Sequence, residues 1–150
     1  TDAVRLAFEQ AAPDRVSASW GHANGCNIAG WDKRHGEEYV TMVLASIISG
    51  AGATASQDGW HAVGPECCFG ALTSGDIEML EHSYPIVIHR YSLMEDSGGA
   101  GRNRGGSGTC WEVEPLDGPM TLVTFGEGRR IPAMGAAGAK SALVPPKVGR

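Results

Sequence analysis

Glycine is the feature that most constrains this chain: 22 of 150 residues, about twice the ~7% usual in globular proteins. The glycines fall in patches and follow no collagen-like period. Six of them lie in the thirteen residues Asp96-Ser-Gly-Gly-Ala-Gly-Arg-Asn-Arg-Gly-Gly-Ser-Gly108. Such a stretch resists both helix and strand. It suits backbone that turns at positive φ or runs against another backbone.

The rest of the composition permits a packed domain. Hydrophobic residues make up 42% and charged residues 19%, which argues against disorder and supports a single domain over 1–150. No apolar run approaches the ~18–20 residues of a membrane span; the longest candidate, Val40 to Ile48, carries Thr41 and Ser46. A net charge of −5 disfavours a nucleic-acid partner, which needs a basic face. Cys26, Cys67, Cys68 and Cys110 contain no Cys-x-x-Cys pair, so a zinc knuckle is not expected. With no secretory segment, reduced thiols and a cytoplasmic location are expected. A chain beginning at Thr1 reads as a piece of something longer.

Periodicity predicts a helix over 2–12, ended by Pro13-Asp14. Val16 to Trp20 reads as a short strand, and Gly21 to Gly36 as a long polar excursion. The β-branched run Glu38 to Ile48 reads as a strand. Residues 49–75 read as mostly irregular, and a loop of that length is usually functional or packed on a partner. Asp76 to Glu81 and Tyr84 to Leu93 read as strands. In the second, Ile86, Ile88 and Arg90 share one face and Val87, His89 and Tyr91 the other. Thr109 to Glu114 and Met120 to Phe125 flank Pro-Leu-Asp-Gly-Pro, a hairpin signal. From Gly126 onward turns and coil are expected. The class is α+β, mainly β, with an N-terminal helix, mixed β-sheets and long glycine-rich loops.

Neither standard phosphate loop is present. Gly-x-Gly-x-x-Gly fails at Arg104, and Gly135 to Ser141 has Ala139 where the Walker pattern needs glycine. The physical possibility that remains is an anion site. Glycines such as Gly99 and Gly101 free backbone N–H groups, and Arg102 or Arg104 can fork onto a carboxylate or phosphate. Asp96 pairs with either arginine. Equally, Asp96 and Arg102 can form a buried ion pair that holds a tight crossing.

Of five histidines, His61 is the most suggestive. With Asp58 and Glu66 it can converge on a metal or serve proton transfer, or it is a polar loop residue beside an Asp58-Gly59 turn. His22 is a second loop candidate, whereas His82 and His89 read as structural strand residues. Cys67-Cys68 has no readable histidine partner and reads as small hydrophobes. Glu78 and Glu81, three apart on a strand, face opposite sides.

The thirteen-residue string resembles the signature of the hydantoinase B/oxoprolinase family. Pro13-Asp14-Arg15-Val16, Gly50-Ala-Gly-Ala53, Asp58-Gly59, Gly75-Asp76-Ile77-Glu78, Glu81, Tyr84-Pro85 and Glu127-Gly-Arg-Arg-Ile-Pro132 are similar to family elements in the same order, over about residues 13–140. Thr73 to Glu78 looks closer to the carboxylase branch. The resemblance implies a part or small subunit of an ATP-dependent cyclic-amide hydrolase (hydantoinase or 5-oxoprolinase type) or ketone carboxylase. It matches the C-terminal part of a B-type chain. ATP is then bound by a kinase-like A-type partner subunit, and any divalent metal by ligands outside this chain. The implied cavity takes a small-molecule substrate, with Asp58 and His61 as catalytic candidates. Arg102, Arg104, Asp96, Gly99 and Gly101 are the substrate- or anion-binding candidates. A non-catalytic assembly module and an independent small anion-binding protein are the rival expectations.

Overall fold

The structure is a computed structural model that describes residues 1–43, 48–128 and 130–142. Its elements are α1 (Asp2–Ala11), β1 (Asn24–Asp32), β2 (Glu37–Val43), a 3-10 turn (Glu66–Cys68), α2 (Ile77–Ser83), β3 (Ile86–Leu93), β4 (Thr109–Pro115) and β5 (Thr121–Gly126). One sheet has the order β2-β1-β5 and the other pairs β3 with β4. The α+β, mainly β class stands, and the three strand pairings among the described residues are all antiparallel rather than mixed. Among the described residues no helix is long and apolar enough to cross a membrane.

β1 occupies the region expected to be a polar excursion. Of its strongly apolar side chains, Cys26 and Ile28 are buried at strand spacing while Trp31 stays exposed. The glycines of β1 serve its neighbours: the Phe125 ring lies over Gly25 and the Tyr39 ring over Gly30, where a Cβ would come within 2.6 and 2.8 Å. A low strand propensity is thus offset by aromatic cover from both flanking strands. The β1–β2 turn is fixed by Asp32. Its Oδ1 accepts the Arg34 N–H at 2.8 Å, and its carboxylate takes the Arg34 guanidinium through Nε at 3.0 Å and Nη2 at 2.8 Å. Arg34 also donates to the Glu81 and His82 carbonyls at the end of α2.

Asp76 to Ser83 begins a helix where a strand was expected. Asp76 caps it, accepting the Met79 N–H at 3.1 Å, which satisfies a donor that a strand would leave to a ladder. His82 is therefore helical. Glu78 and Glu81 lie one turn apart, and Glu81 accepts the Ile88 N–H at 2.7 Å.

The expected β4–β5 hairpin does not form. β4 pairs with β3, and β5 with β1, placing Leu122 opposite Ile28. The connecting loop is instead tied elsewhere: Leu116 N–H to the Pro85 carbonyl at 2.9 Å, and Asp117 to the Lys33 N–H at 2.9 Å. In β3 the register shifts between Ile88 and Arg90. That bulge puts Tyr91 opposite Trp111 and so on the Ile88–Val113 face, reversing the predicted alternation beyond His89.

Val16 to Trp20 joins no sheet: Val16 lies in a bend and 17–20 are irregular. Its N–H groups go to separate loops, Ala18 to Ala53 and Ser19 to Met134. β2 is described from Glu37 to Val43; residues 44–47 of the strand expected to reach Ile48 lie outside the described residues. The core lies between the sheets: Cys26, Ile28, Val43 and Ile86, with Leu80, Tyr84, Trp111 and Met120 against it.

Candidate functional site

The glycine-rich segment after β3 crosses two other irregular stretches, 48–54 and 58–62. The crossing is backbone against backbone. Gly106 donates to the Ala51 carbonyl at 2.8 Å, and Ala51 to the Trp60 carbonyl at 2.8 Å. Gly59 donates to the Arg104 carbonyl at 2.8 Å, and Ala62 to the Ser107 carbonyl at 2.9 Å. No side chain fits between. A Cβ on Gly106 would lie 2.0 Å from the Trp60 oxygen, and one on Gly98 2.0 Å from the Gly105 oxygen. The density of glycine is thus a steric requirement of the crossing.

Side chains clamp the same crossing. Asp58 Oδ1 accepts the Arg104 N–H at 2.7 Å, and His61 Nδ1 accepts the Ser107 N–H at 2.9 Å. Accepting at Nδ1 places the neutral ring's proton on Nε2. Asn103 donates to the Thr54 carbonyl at 2.9 Å. The buried Ser97 hydroxyl donates to the Met94 carbonyl and accepts the Gly108 N–H. Thr109 Oγ1 accepts the Ile48 N–H at 2.7 Å.

The structure therefore brings Asp58, His61, Asp96 and Arg104 together, around a polar cavity of about 480 Å³. Asp96 pairs with Arg104, not Arg102. The pair is exposed rather than buried, at 82% and 51% of the two side chains. Water screens such a pair, so it orients the turn more than it stabilises the fold. Asp96 itself sits at φ +53, a left-handed conformation that aspartate tolerates.

Arg102, Gly99 and Gly101 face a second, larger cavity of about 1650 Å³. Among the described residues Arg102 has no ion-pair partner. Lys140 lines this cavity too, and its N–H bonds the Ala100 carbonyl at 3.0 Å. Sequence reasoning passed over Lys140 together with the failed phosphate loop; its signal was a second cation close to a glycine-rich turn. Thr109, just after the string, gave no sequence signal because its partner Ile48 lies 61 residues away; Ser97, inside the string, bonds the nearby Met94 and Gly108.

Glu66 does not join Asp58 and His61. It lies 3.9 Å from Arg5 Nε, and burial pushes its carboxyl above the usual range. Arg5, buried on α1, also meets Glu9 at 3.1 Å and the Ser17 carbonyl at 3.2 Å. This cluster docks the helix. His22 lies 3.7 Å from Asp2, and His89 bonds Glu114 across the strands at 2.6 Å. Among the described residues no three His, Cys, Asp or Glu side chains are grouped to hold a metal ion.

The Hydantoinase B/oxoprolinase family profile matches residues 1–147. The chain belongs to that family. It is 71% identical over 150 residues to caprolactamase subunit beta of Pseudomonas jessenii, covering 99% of this chain and 26% of that relative. It also resembles the crystal structure of the ATP-dependent caprolactamase from Pseudomonas jessenii, with a TM-score of 0.80 and 60% identity over 98% of this chain and 26% of that one. The nucleotide-free structure of acetone carboxylase is similar at a TM-score of 0.64 and 26% identity, over 81% of this chain and 16% of that one. The chain thus spans about a quarter of the length of the caprolactamase subunit. Within the stretch Thr73 to Glu78, Asp76 caps α2 and Ile77 and Glu78 begin it.

Proposed function

We propose that this chain works as part of an ATP-dependent cyclic-amide hydrolase, forming one wall of the substrate cavity and a surface for assembly. The observation that carries this reading is the 71% identity to a caprolactamase beta subunit across the whole chain. Asp58, His61, Asp96 and Arg104 act as positioning residues that hold the crossing rigid. Arg102, beside Gly99 and Gly101 on the larger cavity, receives an anionic group of the activated substrate.

ATP belongs on a kinase-like A-type partner subunit. In the stretch 135–141 the Ala139 N–H is taken by the Ala136 carbonyl and the Lys140 N–H by the Ala100 carbonyl, so this turn does not present the row of free N–H groups a phosphate cradle needs. A divalent metal likewise belongs outside these residues: His61 accepts at Nδ1, so its neutral ring carries its proton on Nε2 and offers no lone pair there. The outer face of the β2-β1-β5 sheet exposes Val40, Met42 and Val123. That apolar face suits burial against the remainder of a B-type chain.

The test assembles the chain with the remaining B-type polypeptide and an A-type ATPase and measures ATP-dependent opening of a lactam. Arg102→Ala should stay soluble and assembled while turnover falls about 10²-fold, as when one charge-stabilising donor is lost. An insoluble or unassembled variant would make Arg102 structural. ATP-dependent ketone carboxylation without lactam opening would overturn the substrate class. A monomer that binds phosphate unaided and ignores both partners would establish the independent binding protein instead.

A further inference from the structure

Cys67 and Cys68 are consecutive residues of the 3-10 turn Glu66–Cys68. Cys67 is exposed and Cys68 half-buried, and both are free thiols. Neither contributes to the two cavities described above, whereas Cys26 and Cys110 line the larger one. The turn is fixed on both sides. The Cys68 N–H bonds the Pro65 carbonyl at 2.9 Å, and the Ala71 N–H bonds the Cys68 carbonyl at 2.9 Å. Glu66 is anchored towards Arg5, and Phe69 and Gly70 reverse the chain at φ +51 and +76. Burial pushes the Cys68 thiol above its ordinary value, and the adjacent Cys67 thiol adds to that.

A direct disulfide suits this pair poorly. Consecutive Cα atoms stand roughly 3.8 Å apart, below the ~4.4 Å lower end of ordinary disulfides. One atom inserted between the sulfurs enlarges the ring and relieves that constraint. A thiol kept protonated is also a weak nucleophile on its own. What remains favourable is a centre that takes both sulfurs at once. The geometry points to Cys67–Cys68 as a chelating capture site for thiophilic trivalent metalloids, the organoarsenic(III) class. With an arsenic oxide, two S–As bonds form and the As–O linkage breaks. Both thiol protons leave on that oxygen as water, with no change of oxidation state.

The probe is phenylarsine oxide, titrated into the native assembled protein while reactive thiols are counted with an aromatic disulfide reagent. One equivalent should protect two thiols. A 1,2-dithiol should reverse the capture where a monothiol at equal sulfur concentration does not. Cys67→Ser and Cys68→Ser should each weaken capture about 100-fold or more, the loss expected when a two-point attachment becomes one-point. Cys110→Ser should leave it unchanged. Tight capture retained in Cys67→Ser, or release by the monothiol, would overturn the proposal. Cys67 lies on an exposed turn, so its variant keeps the test valid even if Cys68→Ser misfolds.

Discussion

A single added methyl group is the sharpest probe of the crossing. At Gly106 a Cβ would sit 2.0 Å from the Trp60 carbonyl oxygen, and backbone cannot rotate away as a side chain can. Gly106→Ala should therefore destabilise the fold by at least ~1–3 kcal/mol, the range for overpacking a tight interior. Gly138, unlike Gly106, has positive φ, with open space around it, so Gly138→Ala should cost only about 1 kcal/mol of local strain. Equal losses at the two positions in chemical denaturation would refute the steric account. Asp32 governs acid sensitivity. The Arg34 guanidinium, helped by His35, holds its carboxyl far below the usual carboxylate range. A depressed folded value gives stability that is present above the unfolded value of ~3.9 and lost as pH falls beneath it. Thermal melts should show Asp32→Asn less stable than the parent at pH 7, with the gap closing below about pH 4. A gap independent of pH would exclude this pair as the cause.

Elements are decided by what terminates them. α2 exists because Asp76 supplies an N-cap and Arg34 covers the last carbonyls. Ile77 to Ser83 is too short to be stable as an isolated helix. Asp76→Ala should cost about 1 kcal/mol, and hydrogen exchange should rise first at the start of α2. Unchanged exchange there would show that packing of Leu80 alone suffices. The same logic explains β1. Its sequence carries two glycines and two asparagines, so its strand character comes from neighbours on both sides rather than from its own residues. The thirteen-residue crossing segment was readable as tightly packed from its glycines alone. Its clamps, Asp58 and His61, were recognisable as notable residues, but their partners Arg104 and Ser107 lie 46 residues further along the chain.

At the scale of the molecule, two small sheets share one core. Ile86 from β3 meets Cys26 and Ile28 of β1 and Val43 of β2. Ile86→Ala should cost about 2–5 kcal/mol and lower the melting of both sheets together, in one transition seen alike by circular dichroism and tryptophan fluorescence. Two separate transitions would mean that the sheets are independent units. Among the described residues few apolar side chains are fully buried, and Val40, Met42 and Val123 remain exposed on the sheet's outer face. That imbalance fits a chain that spans 26% of its caprolactamase relative.

Neighbouring residues alone were enough for the family, the mainly β class, the N-terminal helix, and the close packing of the Asp96 to Gly108 string. These are local matters: glycine spacing, β-branching and a helical period are written in neighbouring residues. Long-range packing is what sends β5 from β4 to β1, pairs Asp96 with Arg104 rather than Arg102, and turns Glu66 to Arg5 rather than towards His61. Each of those choices sets one distant partner against another. The winner is fixed by which backbone groups must be satisfied and which surfaces must be buried once the whole chain is in place.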